Sequence, residues 1–409
     1  MVEYIKAHVT TTIPMPKTTP LHGITVLDLT RVLSGPYCTM LLADMGARVI
    51  KVEQPGKGDD TRAWGPPFQQ GESAYFLSIN RNKESITVDF KPPQGRAILD
   101  RLIAKADVIV ENFRPGTLAK LGFDYASLSQ QYPRLVYCSI SGFGQTGPRR
   151  KEPGYDAVMQ AEGGLMSITG AGDGPPFRLG VAIADIITGM FAAQGVTAAL
   201  FARERTGRGQ AVDIAMLDSV TALLTYQAGI YFATGSAPLR LGNRHPTIVP
   251  YETFRASDGD FMIAVGNDEL WRRFCAATGI EPEEQFATNR QRVASYTHLK
   301  PLLEARLGTK TRSYWIERLT GAGVPCGSVR DLHELFGDPQ VAARSMTADV
   351  DHPTIGALRV LGTPLKLSET PASIRTAPPT LGQHTDAVLT EELGYAGDEV
   401  ARLRAQGIV

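Results

Sequence analysis

This 409-residue sequence has only four cysteines, Cys38, Cys138, Cys275 and Cys326, each standing singly with no CxxC pair. That spacing excludes a disulfide framework and suits reduced core thiols in a cytoplasmic, reducing compartment. Histidine is sparse as well. His8, His22, His245, His298, His333, His352 and His384 never fall at metal-ligand spacing, and there is no HExxH. No metal site is expected. Only His245, between Arg244 and Pro246, lies in a loop that draws notice, and a structural role suits it better than a catalytic one. Excess charge is also lacking: 42 basic residues balance 42 acidic ones. No global field therefore draws the molecule to nucleic acid or a membrane surface, and an anionic ligand must be met by local cations. No segment offers the roughly 18 uninterrupted apolar residues of a membrane span, since even the apolar stretch 181–202 is broken by Asp185. The first twenty residues contain Glu3, no arginine and no continuous apolar core. They read as an N-terminal arm (1–20) rather than a targeting signal. Internal repeats and low-complexity tracts are absent too.

What is present is an alternation of short β-branched runs with helical spacing. ITVLDL (24–29), ARVIKVE (47–53), ESITVDF (84–90), DVIVEN (107–112) and RLVYCSIS (134–141) are nearly continuously apolar, as strands covered on both faces should be. Residues 36–46 and 93–105 between them carry helical periodicity. The pattern predicts an α/β fold with a largely parallel sheet. A long apolar helix is expected from about Asp185 to Arg205, closed by TGRGQ and followed by the strand AVDIAM. The expected organisation is a large domain over 21–225, a linker over 226–252 and a smaller α+β domain over 253–345. The C-terminal segment 346–409, too polar for a core of its own, is expected to return to the large domain.

GFGQTG (142–147) matches GxGxxG after a strand, but Pro148, Arg149, Arg150 and Lys151 follow where an apolar helix should begin. The dinucleotide reading is set aside. Asp185 is more informative, because it sits in GVAIADIITGMFAAQ among apolar neighbours. It suits a helix N-cap. It also suits a desolvated carboxylate nucleophile, kept ionised by the positive end of the helix dipole. Basic residues recur where strands end, at Arg31, Lys51, Lys91, Arg114 and Lys120. In open α/β sheets ligands bind there, so the series points to a phosphate-bearing ligand.

The segments LHGITVLDLTRVLSGPYCTMLLADMGARVIKVE, GDDTR, NRNKESITVDFK, DVIVENFRPGTLAKLGFDY, GYDAVMQAEGGLMSITG, ERTGRGQAVDIAMLDSV and GQHTDAVLTEELGY resemble the family III CoA transferases, also called the CaiB/BaiF group. The likeness runs from about residue 21 to the C-terminus. It implies a Rossmann-like large domain, a small domain and long linkers that interlock two subunits as a homodimer. It implies that Asp185 is the nucleophile, with Leu33 and Ser34 by the thioester, and Tyr155 and Asp156 near the reacting acyl group. It sets Val88 and Lys91 by the adenosine, Arg31 at a phosphate, and Asn112, Phe113, Arg114 and Lys120 along the nucleotide and pantetheine. Two positions depart from formyl-CoA transferases: Leu33 stands for a glutamine and Gln54 for an arginine that helps hold CoA. GNRHP replaces their glycine-rich lid.

The resemblance therefore implies CoA transfer through an aspartyl anhydride and an aspartyl-CoA thioester. CoA is substrate, with no permanently bound cofactor. Gly163, Gly164 and Gly242 are candidate oxyanion donors. Succinyl-CoA is the expected donor and a C4–C6 dicarboxylate the acceptor, with Arg62, Arg178 or Arg244 clamping the distal carboxylate. Two alternatives stay open. One is an α-methylacyl-CoA racemase, whose histidine position is here Tyr155, a phenol with an ordinary pKa of about 10. The other is a catalytically silent CoA-binding subunit.

Overall fold

The computed structural model describes residues 19–409, so the expected N-terminal arm lies outside it apart from Thr19 and Pro20. Six strands form the main sheet: β1 (Thr25–Asp28), β2 (Arg48–Glu53), β3 (Lys83–Thr87), β4 (Val108–Glu111), β5 (Val136–Ser141) and β6 (Ala211–Ala215). They are parallel throughout, in the order β3-β2-β1-β4-β5-β6. This is the doubly wound, Rossmann-like order, and its switch point lies between β1 and β4. The helices around the sheet include α1 (Ser34–Asp44), α2 (Ala74–Ile79), α3 (Pro93–Ile103), α4 (Asp156–Glu162), α5 (Ile183–Thr206) and α6 (Met216–Leu223).

Successive strand residues serve opposite faces, which is why the strands read as continuous apolar runs. Leu27, Ile50, Ile86 and Ile109 pack with Ile98, Leu99 and Leu102 of α3. Val26, Val49, Val108 and Val136 pack on the other side with Cys38 and Leu42 of α1 and Ala192 and Val196 of α5. Among the described residues α5 is the one helix long and apolar enough to cross a membrane. Its apolarity is explained here by burial of one face in that core.

The second face also holds charges. Lys51, expected at a ligand phosphate, is wholly buried in mid-strand opposite Asp28. Its Nζ donates to Asp59 Oδ2 and to Thr30 O, both at 2.9 Å. It is a structural cation. Lys83 Nζ reaches Asp28 Oδ2 at 3.1 Å. Burial alone would push the Asp28 carboxyl up, but Lys83 and Lys51 outweigh it and bring it down to about 2.

The chain divides into two compact units, and the sheet unit takes in the chain up to Gly164, Leu179–Thr225 and Ala342–Val409. Its C-terminal part carries the hairpin Thr347–His352 with Gly356–Leu361. That part also covers the edge of β3: the N–H of Thr87 donates to Thr385 Oγ1 at 3.0 Å, and that of Ser85 to His384 Nδ1 at 3.1 Å. An open strand edge is thereby closed.

The second unit comprises Leu165–Arg178 and Tyr226–Val341. It holds all but the first residue of α7 (Thr225–Thr234) and an antiparallel sheet of Tyr251–Ala256, Gly259–Ala264 and Cys326–Ser328. Trp271, Phe274, Leu303 and Trp315 from its helices pack on that sheet. α7 falls where the sequence loses periodicity and a linker was expected. Its apolar residues lie all round the helix, and none of them is buried. An amphipathic stripe, the usual signal, is therefore missing.

Gly189 sets how closely α1 and α5 approach. A Cβ there would lie 2.6 Å from Ser34 O and 3.2 Å from Cys38 N, both backbone atoms. Gly189→Ala is expected to cost about 1–3 kcal/mol, read as a lower denaturation midpoint; an unchanged midpoint would show that the helices have room to spare.

Candidate active site

The site grows from the loop that leaves β1. Val32 has φ +71°, a left-handed conformation that strains a β-branched residue. Side chains hold it there. Asp59 Oδ1 accepts the N–H of Val32 at 3.2 Å. Asn112, just beyond β4, accepts from the N–H of Arg31 at 3.0 Å and donates to its carbonyl at 2.8 Å. The switch point is thus bridged by one amide, whose polar atoms are committed to the loop. α1 then begins at Ser34 with Leu33 as a cap residue that offers no side-chain acceptor. Ser34 and Gly35 are buried, and among the described residues nothing accepts their N–H groups. Uncapped, buried N–H groups at a helix start favour negative charge.

A second helix begins beside it. α5 starts at Ile183, so Asp185 is the third residue of the helix and not its cap. The acceptor is instead Asp156, whose Oδ1 takes the N–H of Ala184 at 2.9 Å. Leu33, Met40 and Ile79 form a small apolar cluster with Tyr75, Ala182 and Ile186, which surrounds the start of α5. Burial there, and secondarily the neighbouring Asp156, push the Asp185 carboxyl up to about 7, while a hydrogen bond with Ser34 pulls the other way.

Tyr75 was not singled out by the sequence. Its ring lies edge-on to Trp64, with centroids 5.1 Å apart. Burial, then the charges of Asp185 and Asp156, raise its phenol to about 12. It is a committed proton donor beside the two carboxylates. A motif search passes over it because a tyrosine in SAYFLSIN reads as ordinary helix packing. Glu111 was missed for a similar reason, standing at the end of an apolar strand. It is buried, and its carboxyl is pushed up to about 7 by that burial. Its Oε2 accepts the N–H of Phe113 at 2.9 Å, shaping the turn that carries Asn112 to Arg114.

The other expected residues separate into groups. Arg31, Gln54, Lys91, Arg114 and Lys120 are exposed beyond the carboxyl ends of β1, β2, β3 and β4. Arg31 pairs with Asp60 at 3.2 Å, whereas Lys91, Arg114 and Lys120 have no ion pair among the described residues. Phe113 is half-buried against Phe90, ring centroids 6.1 Å apart. Val88 is a correction: its side chain is buried in the sheet core and its N–H is given to Glu53 O, so only its carbonyl remains for a ligand. Tyr155 is 66% exposed.

Two further expectations fail. Arg62 is no carboxylate clamp, since Nε and Nη2 each donate to the buried Glu53 at 2.7 Å and the guanidinium stacks on Phe76. The proposed oxyanion glycines are also occupied: the N–H of Gly163 goes to Met159 O, that of Gly164 to Ala161 O and that of Gly242 to Gly170 O. In the second unit, the Arg244 guanidinium lies 4.1 Å over the Tyr296 ring, and Arg178 is exposed. His245 is stacked on Tyr226 and tilted against Tyr251, with centroids 5.4 and 5.3 Å away, a packed setting that fits a structural role.

With this geometry in view, comparison with known proteins is decisive. The model of CoA-transferase family III matches residues 21–385. The chain belongs to this family. It is 42% identical over 394 residues to the succinyl-CoA:glutarate CoA-transferase of Mus musculus, covering 95% of this chain and 90% of that one. Against the succinate–glutarate CoA-transferase of Agrobacterium fabrum it is 44% identical, with 91% and 95% covered. A CaiB/BaiF family protein from Brucella suis superposes with a TM-score of 0.82 at 43% identity, covering 92% of this chain and all of that one. The protein is therefore a CoA-transferase, and CoA thioesters are its substrates.

The raised carboxyl of Asp185 has two consequences of opposite sign. If the carboxylate is the reactive form, kcat/KM climbs with pH through a midpoint near 7. Stability moves the other way. The folded value lies above the ordinary 3.8, so the folded chain holds the extra proton, and stability falls as pH rises from about 4 and levels off above 7. Asp185→Asn is thus expected to gain on the wild type across that range in denaturant titrations; a pH-independent difference would show an ordinary carboxyl.

Proposed function

We propose that this CoA-transferase moves CoA from succinyl-CoA to glutarate or a related short dicarboxylate through covalent attachment to Asp185. The observation that carries the reading is that carboxyl, held in an apolar cluster at the start of α5 with its pKa near neutrality. The substrate class is supported by the relatives. Two are named for succinyl-CoA and glutarate, and one from Chloroflexus aurantiacus, 37% identical, for succinyl-CoA and D-citramalate.

The Asp185 carboxylate attacks the donor thioester carbonyl, forming a C–O bond as the C–S bond breaks, and leaves a mixed anhydride with free CoA thiolate. The thiolate attacks the Asp185 carbonyl, displaces the donor carboxylate and forms an aspartyl-CoA thioester. An acceptor carboxylate then expels the thiolate to give a second anhydride. Attack of the thiolate on the acceptor carbonyl regenerates Asp185 and releases the new acyl-CoA. No proton, electron or metal is consumed. Developing oxyanions are met by the free N–H groups at the start of α1 and by the Tyr75 hydroxyl, which take the role first given to the glycines. The apolar walls Leu33, Ala182 and Ile186 keep water from the anhydrides.

Lys91, Arg114 and Lys120 are proposed to meet the nucleotide phosphates, with Arg31, Gln54 and Phe113 along the same edge. Asn112 acts through the loop it braces. Tyr155 stands, exposed, at the position where the racemases carry their histidine. Buried free thiols at Cys38, Cys138 and Cys275 support a reducing compartment.

Asp185→Ala is expected to lose activity on the order of 10^4-fold or more. Wild-type enzyme given succinyl-CoA should gain the mass of bound CoA less water at Asp185, and a dicarboxylate panel should show exchange. Full activity in Asp185→Ala would remove the mechanism, and an inert panel would remove the substrate class.

A homodimer, interlocked as the family resemblance implies, is also proposed. It is supported by α7, with Tyr226 and Phe232 54% and 80% exposed on a helix that buries none of its residues. Sedimentation should give a dimer that Phe232→Glu weakens; a monomeric wild type would contradict it.

A further inference from the structure

Gln160 has no part in the chemistry above, yet it is wholly buried in α4 and both ends of its amide are occupied. Its Oε1 accepts the N–H of Leu179 at 2.9 Å. A backbone N–H can only donate, so the orientation of the amide is fixed. The Nε2 end therefore faces Asp156, whose Oδ2 it reaches at 2.8 Å. The other Asp156 oxygen accepts the N–H of Ala184 at 2.9 Å. Both Asp156 oxygens therefore act as acceptors.

Leu179, Gln160, Asp156 and Ala184 thus form a brace across the stretch that leads into α5. Within that stretch Gly180 has open space around it, Val181 is 56% exposed, and the N–H of Ile183 donates to Val181 O.

We propose that Gln160 is a positioning residue of the transferase: it holds Asp156 as a double acceptor, and through Asp156 fixes both the first turn of α5 and the negative charge that faces Asp185. The inference rests on the reading of Asp185 as nucleophile. The other groups turned towards Asp185 do not supply that charge. α1 presents the Ser34 hydroxyl and α2 presents the Tyr75 phenol, while Tyr37 of α1 packs on the same apolar cluster and meets Arg81 and Asp44. The second carboxylate of α4, Glu162, is ion-paired with Arg149. Asp218 of α6 lines a groove against Phe191 and Gln194, further along α5.

The test is the pH–rate profile of the full-length enzyme as wild type, Gln160→Leu and Gln160→Glu, with the intact mass of the wild type during turnover. Leucine removes the donor to Asp156, so Asp156 is no longer held against the start of α5 and its charge presses less on Asp185. The expected result is kcat roughly tenfold lower, little change in KM, and a rising limb displaced towards acid. Glutamate still accepts from Leu179 but reaches Asp156 only while it keeps a proton. Its variant should follow the rising limb and then show a falling limb, absent from the wild type, as that proton leaves. If both variants fold and keep the wild-type profile, the proposal is overturned. If Gln160→Leu fails to fold, the presence or absence of the falling limb in Gln160→Glu decides alone. Wild-type enzyme that never acquires CoA at Asp185 removes the nucleophile reading, and this inference with it. Acylated wild type with unmoved profiles removes this inference only.

Discussion

A carboxylate taken out of water needs compensation, and most buried carboxylates find it in a lysine or arginine. Asp185 does not. Among the described residues no cation pairs with it; around it are the starts of two helices, the Ser34 hydroxyl, the Tyr75 phenol and a second carboxylate. The helix ends favour the anion, while burial and Asp156 oppose it. The result is a group poised near neutrality, where it can be ionised when it attacks and can accept an acyl group without a counterion to displace. Everything nearby serves this balance: the small Gly189 lets the helices meet, and the strained turn at Val32 brings Ser34 to the carboxyl.

A few residues away the same fold treats charge in the opposite way. Asp28, Lys51, Lys83 and Asp59 are buried and tied to one another, and Glu53 is gripped by Arg62. Removing any one partner would leave a buried charge uncompensated, which typically costs about 3–5 kcal/mol. These paired charges form a stiff floor under the loops that leave β1 and β2. Charge that builds the scaffold is neutralised within it, and charge that reacts is left unpaired. The basic edge at Lys91, Arg114 and Lys120 follows the second rule, since among the described residues no acidic side chain pairs with it.

The sheet was legible because its strands are apolar on both faces, and runs such as ARVIKVE and DVIVEN fall on β2 and β4. Asp185 was legible because a carboxylate in an apolar helix is conspicuous. What one sequence hides is which polar group meets which. Arg62 and Lys51 look like ligand-binding cations in the string and prove to be internal partners of Glu53 and Asp59. Val88 faces the core because strand alternation, not motif position, decides its side. Tyr75 and Gln160 lie about 110 and 25 residues from Asp185 in the chain, and only the packing of the helices brings Tyr75 near it and Gln160 against its neighbour Asp156. The helix at Thr225–Thr234 was lost for lack of a stripe, because its apolar residues are not turned to this chain's own core.

The account stands on the ionisation of one side chain, which can be observed without turnover. Carbon-13 NMR or infrared difference titration of the Asp185 carboxyl, assigned by comparison with Asp185→Asn, reads it directly. The structure predicts a carboxyl titrating near 7. A signal that titrates near 4, as an ordinary aspartate does, would mean that the carboxyl is wet and unperturbed, and the central claim would fall.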